Sequence, residues 1–398
     1  MQREAAADIE LGKSLIQRAR EMVPVLAERA ERAENERRIP PETIADFKRA
    51  GFFRVLQSRR YGGYELHPNI FFEIQMTLAQ GCMSSGWVYG VVGVHNWQLA
   101  LFDPRAAEDV WGKDTSTLIA STYMPQGQVK RVEGGFQFSG RWGFSSGIDH
   151  GEWVFLGGIV PADEVNSVPQ FRTFLLPRAD IQIVDNWYTM GLKGTGSKQV
   201  VVKDAFVPEY RTHNVLDGFS ATSPGLSANP APLYHLPFGQ VFVRAVSSAS
   251  IGALQGALTA FRDYGSKRIS SNDFSRTAED PVAEHAAADA AIAIAEMKQG
   301  LFASFDSMMA KLGRGEALDL NDRIHYRYQS ALAADRCVAQ VDRLFNSCGG
   351  QGVYVTNPVT RFFLDIHAAR MHYANNPDKL GRNYGGVLMG LKNSDFFI

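Results

Sequence analysis

The sequence has 398 residues, 45% of them hydrophobic and 21% charged, and its 41 Lys+Arg against 42 Asp+Glu leave a net charge of −1. Such a chain has enough apolar material for a large core in two or three domains, which excludes disorder as its main state. The charge balance leaves no basic footprint for nucleic acid or an anionic membrane.

No uninterrupted apolar run approaches the roughly 18 residues of a membrane span, and Met1-Gln2-Arg3-Glu4-Ala5 opens on polar residues without a signal-like apolar region. The expectation is a cytoplasmic protein. Cys82, Cys337 and Cys348 are the three cysteines, and no CxxC or Cys/His cluster surrounds them. Neither a disulfide framework nor a structural zinc site is expected.

Residues 1–112 read as an α-helical domain. An Ala/Glu/Arg-rich helix over 6–35 comes first, then a short helix from Pro40-Pro41 to Gly51. That is the proline-first, glycine-last asymmetry of helix ends. Pro68 and Gly81 bracket a third helix. An apolar helix carrying Ser84-Ser85-Gly86-Trp87 and Gly93-Val94-His95-Asn96-Trp97 follows, and Asp103-Pro104 opens another that ends near Gly112.

Residues 113–215 change to strand period and read as a middle β domain. Gln128–Val132 and Gly135–Gly140 alternate around Glu133-Gly134, a hairpin signal. Short strands are expected at Trp153–Ile159, Phe171–Leu176, Ile181–Val184 and Val200–Val207, as in a small sandwich or barrel. The third domain, 216–398, begins with a Pro/Ser/Gly-rich excursion over 216–240. It continues as long helices at about 281–312 and 321–345, with shorter ones beyond, which predicts a helical bundle.

Walker A, GxGxxG and HExxH patterns are missing from the sequence. Gly191-Leu192-Lys193-Gly194-Thr195-Gly196-Ser197 mimics a phosphate loop, but its place between two strands favours a hairpin connection. His367 and His372 are five residues apart, about 140° around a helix, and so poor partners for one metal. Taken alone, His95 is first a satisfied core histidine. The run Trp142–His150 suits either a flat heterocycle or an ordinary turn.

Several longer motifs carry more. Tyr61-Gly62-Gly63, the Gly191–Ser197 loop before Val201–Pro208, and Cys348-Gly349-Gly350 before Pro358-Val359-Thr360-Arg361 resemble the acyl-CoA dehydrogenase superfamily over nearly the whole chain. Within it, the sequence is similar to the oxygenase components of two-component flavin monooxygenases. The p-hydroxyphenylacetate 3-hydroxylases and, more closely, the secosteroid phenol 4-hydroxylases are the nearest in pattern. The residues that carry this are Gly93–Trp97, Leu101-Phe102-Asp103, Trp142–His150, Asp185–Tyr188, Asp342–Phe345 and Asp365–His372. Many dehydrogenases place a proton-abstracting glutamate where this chain has His372-Tyr373-Ala374-Asn375-Asn376. With no carboxylate there, α-proton abstraction lacks its base. The family's Arg-Asp pair is Leu364-Asp365 here, which leaves its ion pairing open.

The resemblance implies an α+β fold: a helical N-terminal domain, a middle β-sandwich or barrel and a C-terminal four-helix bundle. It implies reduced flavin (FMNH2 or FADH2) supplied by a separate NAD(P)H:flavin reductase, O2 as co-substrate, a flavin C4a-hydroperoxide, and hydroxylation ortho to a phenol. It also implies a homotetramer. His95, Ser146 and His372 take the catalytic positions, His95 as a base of near-neutral pKa and Ser146 beside flavin N5. Phe144, Ser146, Thr122 and Arg268 match flavin contacts, Arg268 reaching the phosphate in a neighbouring subunit. Trp87, His95 and Ser121 match substrate contacts. Gly239 stands where arylacetate hydroxylases carry an arginine, so a neutral, bulky phenol is the expected substrate, polycyclic or steroid-derived in the favoured case. His235 or Arg244 remains a possible replacement cation. Indole, an aromatic polyketide or an amino-sugar nitrogen is the alternative substrate class; acyl-CoA dehydrogenation ranks below them.

Overall fold

Residues 2–163, 167–270 and 274–398 are described by a computed structural model. Five helices come first: α1 (Gln2–Glu36), α2 (Pro41–Ala50), α3 (Pro68–Gly81), α4 (Met83–Leu99) and α5 (Pro104–Trp111). Pro41, Pro68 and Pro104 occupy first-turn positions, where a missing N–H costs nothing, and Gly51 closes α2 at a φ of 81°. All seventeen residues of α4 are buried, so this helix is core on every side.

Seven strands follow: β1 (Ile119–Val132), β2 (Gly135–Ser145), β3 (Trp153–Val160), β4 (Gln170–Pro177), β5 (Ile181–Val184), β6 (Lys198–Pro208) and β7 (Thr212–Asn214). Their order is β5-β6-β2-β1-β3-β4-β7. The long β1 serves two sheets. Its start runs parallel to β3, its end pairs antiparallel with β2, and the register shifts between Thr122 and Gly127. Phe138 on β2 stacks on Phe174 of β4 at 4.2 Å. Those strands are three places apart in the order, so the sheet must fold over at β1 into a two-layer sandwich. Trp142, Ile148 and Val200 fill the space between the layers.

Six helices complete the chain: α6 (Val215–Ser220), α7 (Phe238–Gly265), α8 (Pro281–Gly313), α9 (Leu320–Ser347), α10 (Pro358–Arg370) and α11 (Pro377–Leu388). The expected irregular excursion thus holds one short α-helix and two 3-10 turns, Pro224–Ser227 and Pro232–His235, and its tail is pinned to the core. Trp97 donates to the Leu233 carbonyl and Tyr234 to that of Leu56. An 18-residue window of α7 is long and apolar enough on average to cross a membrane, although polar residues interrupt it, and 94% of it is buried inside the protein. Helix α7 packs directly on α3: a Cβ on Gly252 would lie 2.1 Å from the Met76 carbonyl oxygen, so only glycine permits this approach.

Candidate active site

Helix α4 presents Trp87 and His95 eight residues apart, roughly 12 Å along the axis and about 80° around it. His95 is completely buried. Its Nδ1–H donates to the Ile119 carbonyl of β1. In the neutral ring Nε2 therefore carries the lone pair, and that atom is buried with no hydrogen-bond partner among the described residues. Burial pushes the imidazole pKa down to about 4. This corrects the near-neutral value expected from the sequence, because desolvation penalises the charged ring. His95 is thus a neutral acceptor.

From His95 a series of ring contacts runs to the loop after β2. His95 meets Tyr123 at 6.2 Å, Tyr123 meets Phe242 at 5.0 Å, Phe242 meets His372 at 6.3 Å, and His372 meets Trp87 at 5.8 Å. Phe238 stacks on Phe242 and also touches Tyr123. The Tyr123 hydroxyl donates to Gln98. Ser121 lies two residues before Tyr123 and therefore on the same face of β1, whereas strand alternation turns Thr122 to the opposite face. Thr122 is buried there and pairs in register with Leu156.

The wall ends at Ser146. Trp87 Nε1 donates to Ser146 Oγ at 3.1 Å, and Ser146 Oγ lies 2.7 Å from Ser197 Oγ. Ser197 is 2.6 Å from Thr195 Oγ1, which donates to the Leu192 carbonyl at 2.8 Å. Two residues earlier, Phe144 takes a φ of 63°, in the left-handed region, and its ring is 67% exposed. The ring meets Trp187 edge-on at 5.9 Å, and Trp187 also donates to the Leu192 carbonyl. An exposed aromatic beside a half-buried hydroxyl makes a shelf suited to a flat heterocycle.

His372 lies beyond α10, which ends at Arg370, so the helical spacing assumed for His367 and His372 does not apply. His367 instead bonds Asp342 at 2.7 Å. His372 Nδ1 accepts the Ala374 N–H, which leaves Nε2 as the donor in the neutral ring. Burial and the nearby Arg327 hold its pKa down to about 4. The two histidines therefore differ: His95 offers a lone pair and His372 an N–H. No carboxylate occurs in the 372–376 turn. Asp365, at the position of the altered Arg-Asp pair, accepts the Leu192 N–H at 2.5 Å and docks the 191–197 loop on α10. Burial raises its pKa to about 7.

Besides Thr122, two sequence expectations fall outside this cluster. Arg268 lines a cleft of about 1020 Å³ with Tyr264, Lys267, Arg361 and Gln351, and none of its lining residues belongs to the His95–Ser146 wall. Arg268 itself donates to Thr277. Gly239 faces no open space either: a Cβ there would come within 3.0–3.1 Å of the Phe219 ring and the Phe397–Ile398 backbone. The guanidinium of Arg244 points into the bundle, to the Leu301 carbonyl and Ser304. Tyr123, Phe242, Thr195 and Ser197 were missed from the sequence. Thr195 and Ser197 sit in the glycine-rich loop, where their hydroxyls were the available signal.

Residues 245–377 match the family described as acyl-CoA dehydrogenase, C-terminal domain. The chain is 38% identical over 378 residues, 95% of each sequence, to the flavin-dependent monooxygenase oxygenase subunit HsaA of Mycobacterium tuberculosis. It is also 38% identical to the subunit of that name from Rhodococcus jostii, over 96% of this chain and all of the relative. The crystal structure of 3-HSA hydroxylase from Rhodococcus sp. RHA1 superposes with a TM-score of 0.92 at 37% identity, covering 97% of this chain and 99% of the other. The fold and these relatives define a flavin-dependent enzyme built on the acyl-CoA dehydrogenase architecture. Within that class, this chain belongs to the oxygenase components of two-component flavin-dependent monooxygenases, which take reduced flavin from a separate reductase and react it with O2.

Proposed function

We propose that the chain hydroxylates a neutral, bulky phenol at the carbon ortho to its hydroxyl. The observation that carries this is His95 Nε2, a buried lone pair without a partner at the end of an aromatic wall. A phenol O–H donated to it satisfies the orphan and raises electron density on the ring. At a pKa of about 4 the imidazole does not form a phenolate beforehand; it accepts the proton as the ring carbon becomes oxygenated. Trp87, Ser121, Tyr123 and Phe242 then hold the ring. Reduced flavin, when bound, supplies the electrons that activate O2 for transfer of one oxygen atom. Phe144 and Ser146 would hold its ring system, and the His372 Nε2–H would be available as a donor at the wall they share.

The Arg268 cleft gives this reading its quaternary consequence. Lys267, Arg268 and Arg361 line it alongside Asp263, with Arg361 also 3.7 Å from Glu34, a net cationic set suited to a flavin phosphate, yet it shares no residue with the wall. It therefore serves the flavin of a neighbouring subunit in a homotetramer working in the cytoplasm beside an NAD(P)H:flavin reductase. A neutral substrate follows from Gly239 and Arg244, since the first is filled by chain and the second is committed within the bundle. Burying an unpaired carboxylate costs several kcal/mol. The test is a single-turnover panel with reduced flavin and oxygen, comparing p-hydroxyphenylacetate with uncharged alkyl- and polycyclic phenols. We expect product from the neutral bulky phenols and little from the acid; a preference for the acid overturns the reading.

A further inference from the structure

The hydroxyls between Ser146 and the 191–197 loop form a one-way series whose direction the end groups fix. A carbonyl only accepts, so Thr195 Oγ1–H is given to the Leu192 oxygen. With that hydrogen used, the 2.6 Å contact between Ser197 and Thr195 requires Ser197 to donate. The 2.7 Å contact between Ser146 and Ser197 then requires Ser146 to donate in its turn. An indole N–H only donates, so Trp87 fills one lone pair on Ser146. What Ser146 has left is a second lone pair and no hydrogen.

The far end of the series is held equally firmly. The Leu192 carbonyl receives the Thr195 hydroxyl at 2.8 Å, the Trp187 indole at 3.0 Å and the Thr195 N–H at 3.1 Å, the hydroxyl lying nearest, and the Leu192 N–H is taken by Asp365. Thr195 is 1% exposed and Ser197 4%, so no solvent competes for these hydrogens.

We propose that Thr195 and Ser197 are positioning residues that fix Ser146 as a hydrogen-bond acceptor and thereby make this protein select reduced over oxidised flavin. The inference rests on the reading that Ser146 meets the N5 edge of the cofactor. Reduced flavin carries a hydrogen on N5 and can donate to Ser146, whereas oxidised flavin presents a bare lone pair there. Against an acceptor without a hydrogen, the oxidised form meets lone pair with lone pair. Selection of redox state thus becomes a property of two buried hydroxyls outside the cofactor shelf.

Anaerobic ultrafiltration with oxidised and dithionite-reduced FMN and FAD gives both dissociation constants without turnover, and their ratio is the readout. Wild type should favour the reduced form. Ser197→Ala and the near-isosteric Thr195→Val each release the Ser146 hydrogen, and each should cut the preference on the order of tenfold. Thr195→Ser keeps the hydroxyl and should retain it, which a purely structural role for the side chain does not predict. Thermal unfolding of each variant shows that it is folded, and Thr195→Val serves if Ser197→Ala is not. A ratio collapsed by Ser146→Ala but unmoved by both relay variants overturns the relay. A ratio unmoved by Ser146→Ala itself overturns the placement of Ser146, and the relay with it.

Discussion

At the His95 end of the aromatic wall, α4 is buried on every side, and a neutral imidazole waits with one lone pair unfilled. At the Ser146 end, a half-buried hydroxyl sits beside a phenylalanine ring that is 67% exposed. Under the proposed function, the contrast separates two tasks. A dry end keeps water from a reacting ring and makes each polar contact strong. An open end admits a cofactor that arrives from solution already reduced. Trp87 and His372 join the two, since each touches the wall and lies within a step of Ser146.

The sharpest way to break this division is His95→Ala. Phenol hydroxylation should fall by about 10²–10⁴-fold while the dissociation constant for reduced flavin stays unchanged. With the imidazole neutral above about pH 4, no ionisation of His95 should shape the wild-type rate between pH 6 and 9. Stopped-flow product formation measures the first, and anaerobic titration the second. Equal loss of both would merge the two ends into one site.

Buried histidines should set much of the pH dependence of stability. Burial lowers the folded pKa of His95 and His372 to about 4, and that of His213, whose ring stacks on Phe102 at 5.1 Å, to about 3. The unfolded chain, with histidines near 6.5, then binds more protons as pH falls below that value. Stability present above pH 6.5 is lost toward pH 4, about 2 kcal/mol for each of them by pH 5. Asp365 acts in the opposite sense: its folded pKa is raised to about 7, so its ionisation burdens the fold above pH 7 and is relieved as pH drops. Asp365→Asn removes that relief and should steepen the loss between pH 7 and 5 by about 2 kcal/mol. Urea unfolding at the two pH values checks this, and a shallower slope in the variant refutes it.

A smaller effect is expected from Gly239→Arg. The space beyond Gly239 is held by Phe219, Phe397 and Ile398, so the side chain overpacks a filled site and should cost about 1–3 kcal/mol. It should not confer turnover of an arylacetate. Gain of the acid as substrate would show that the last residues of this sequence yield readily and that the substrate end is less enclosed than its packing indicates.

Local chemistry made much of the fold legible. Prolines at first-turn positions marked where α2, α3, α5 and α8 begin, because a fixed φ and a missing N–H cost a helix least there. Glu133-Gly134 marked the β1–β2 turn, where Gly134 has a φ of 73°. The hydroxyls at the end of β2 and the histidine on α4 stood out because polar groups in apolar surroundings ask for partners.

The sequence by itself determined the order of helical, β and helical parts, the residue types of the site, and the missing carboxylate in the 372–376 turn, all of which depend on neighbours along the chain. Tertiary structure alone decided that His95 is a dry acceptor with a pKa near 4, that Gly239 is filled by residues nearly 160 positions away (, from 239 to 397–398), and that Ser146 answers to Thr195 and Ser197. Desolvation and hydrogen-bond direction depend on groups brought together from distant segments, and only the folded chain sets which groups those are.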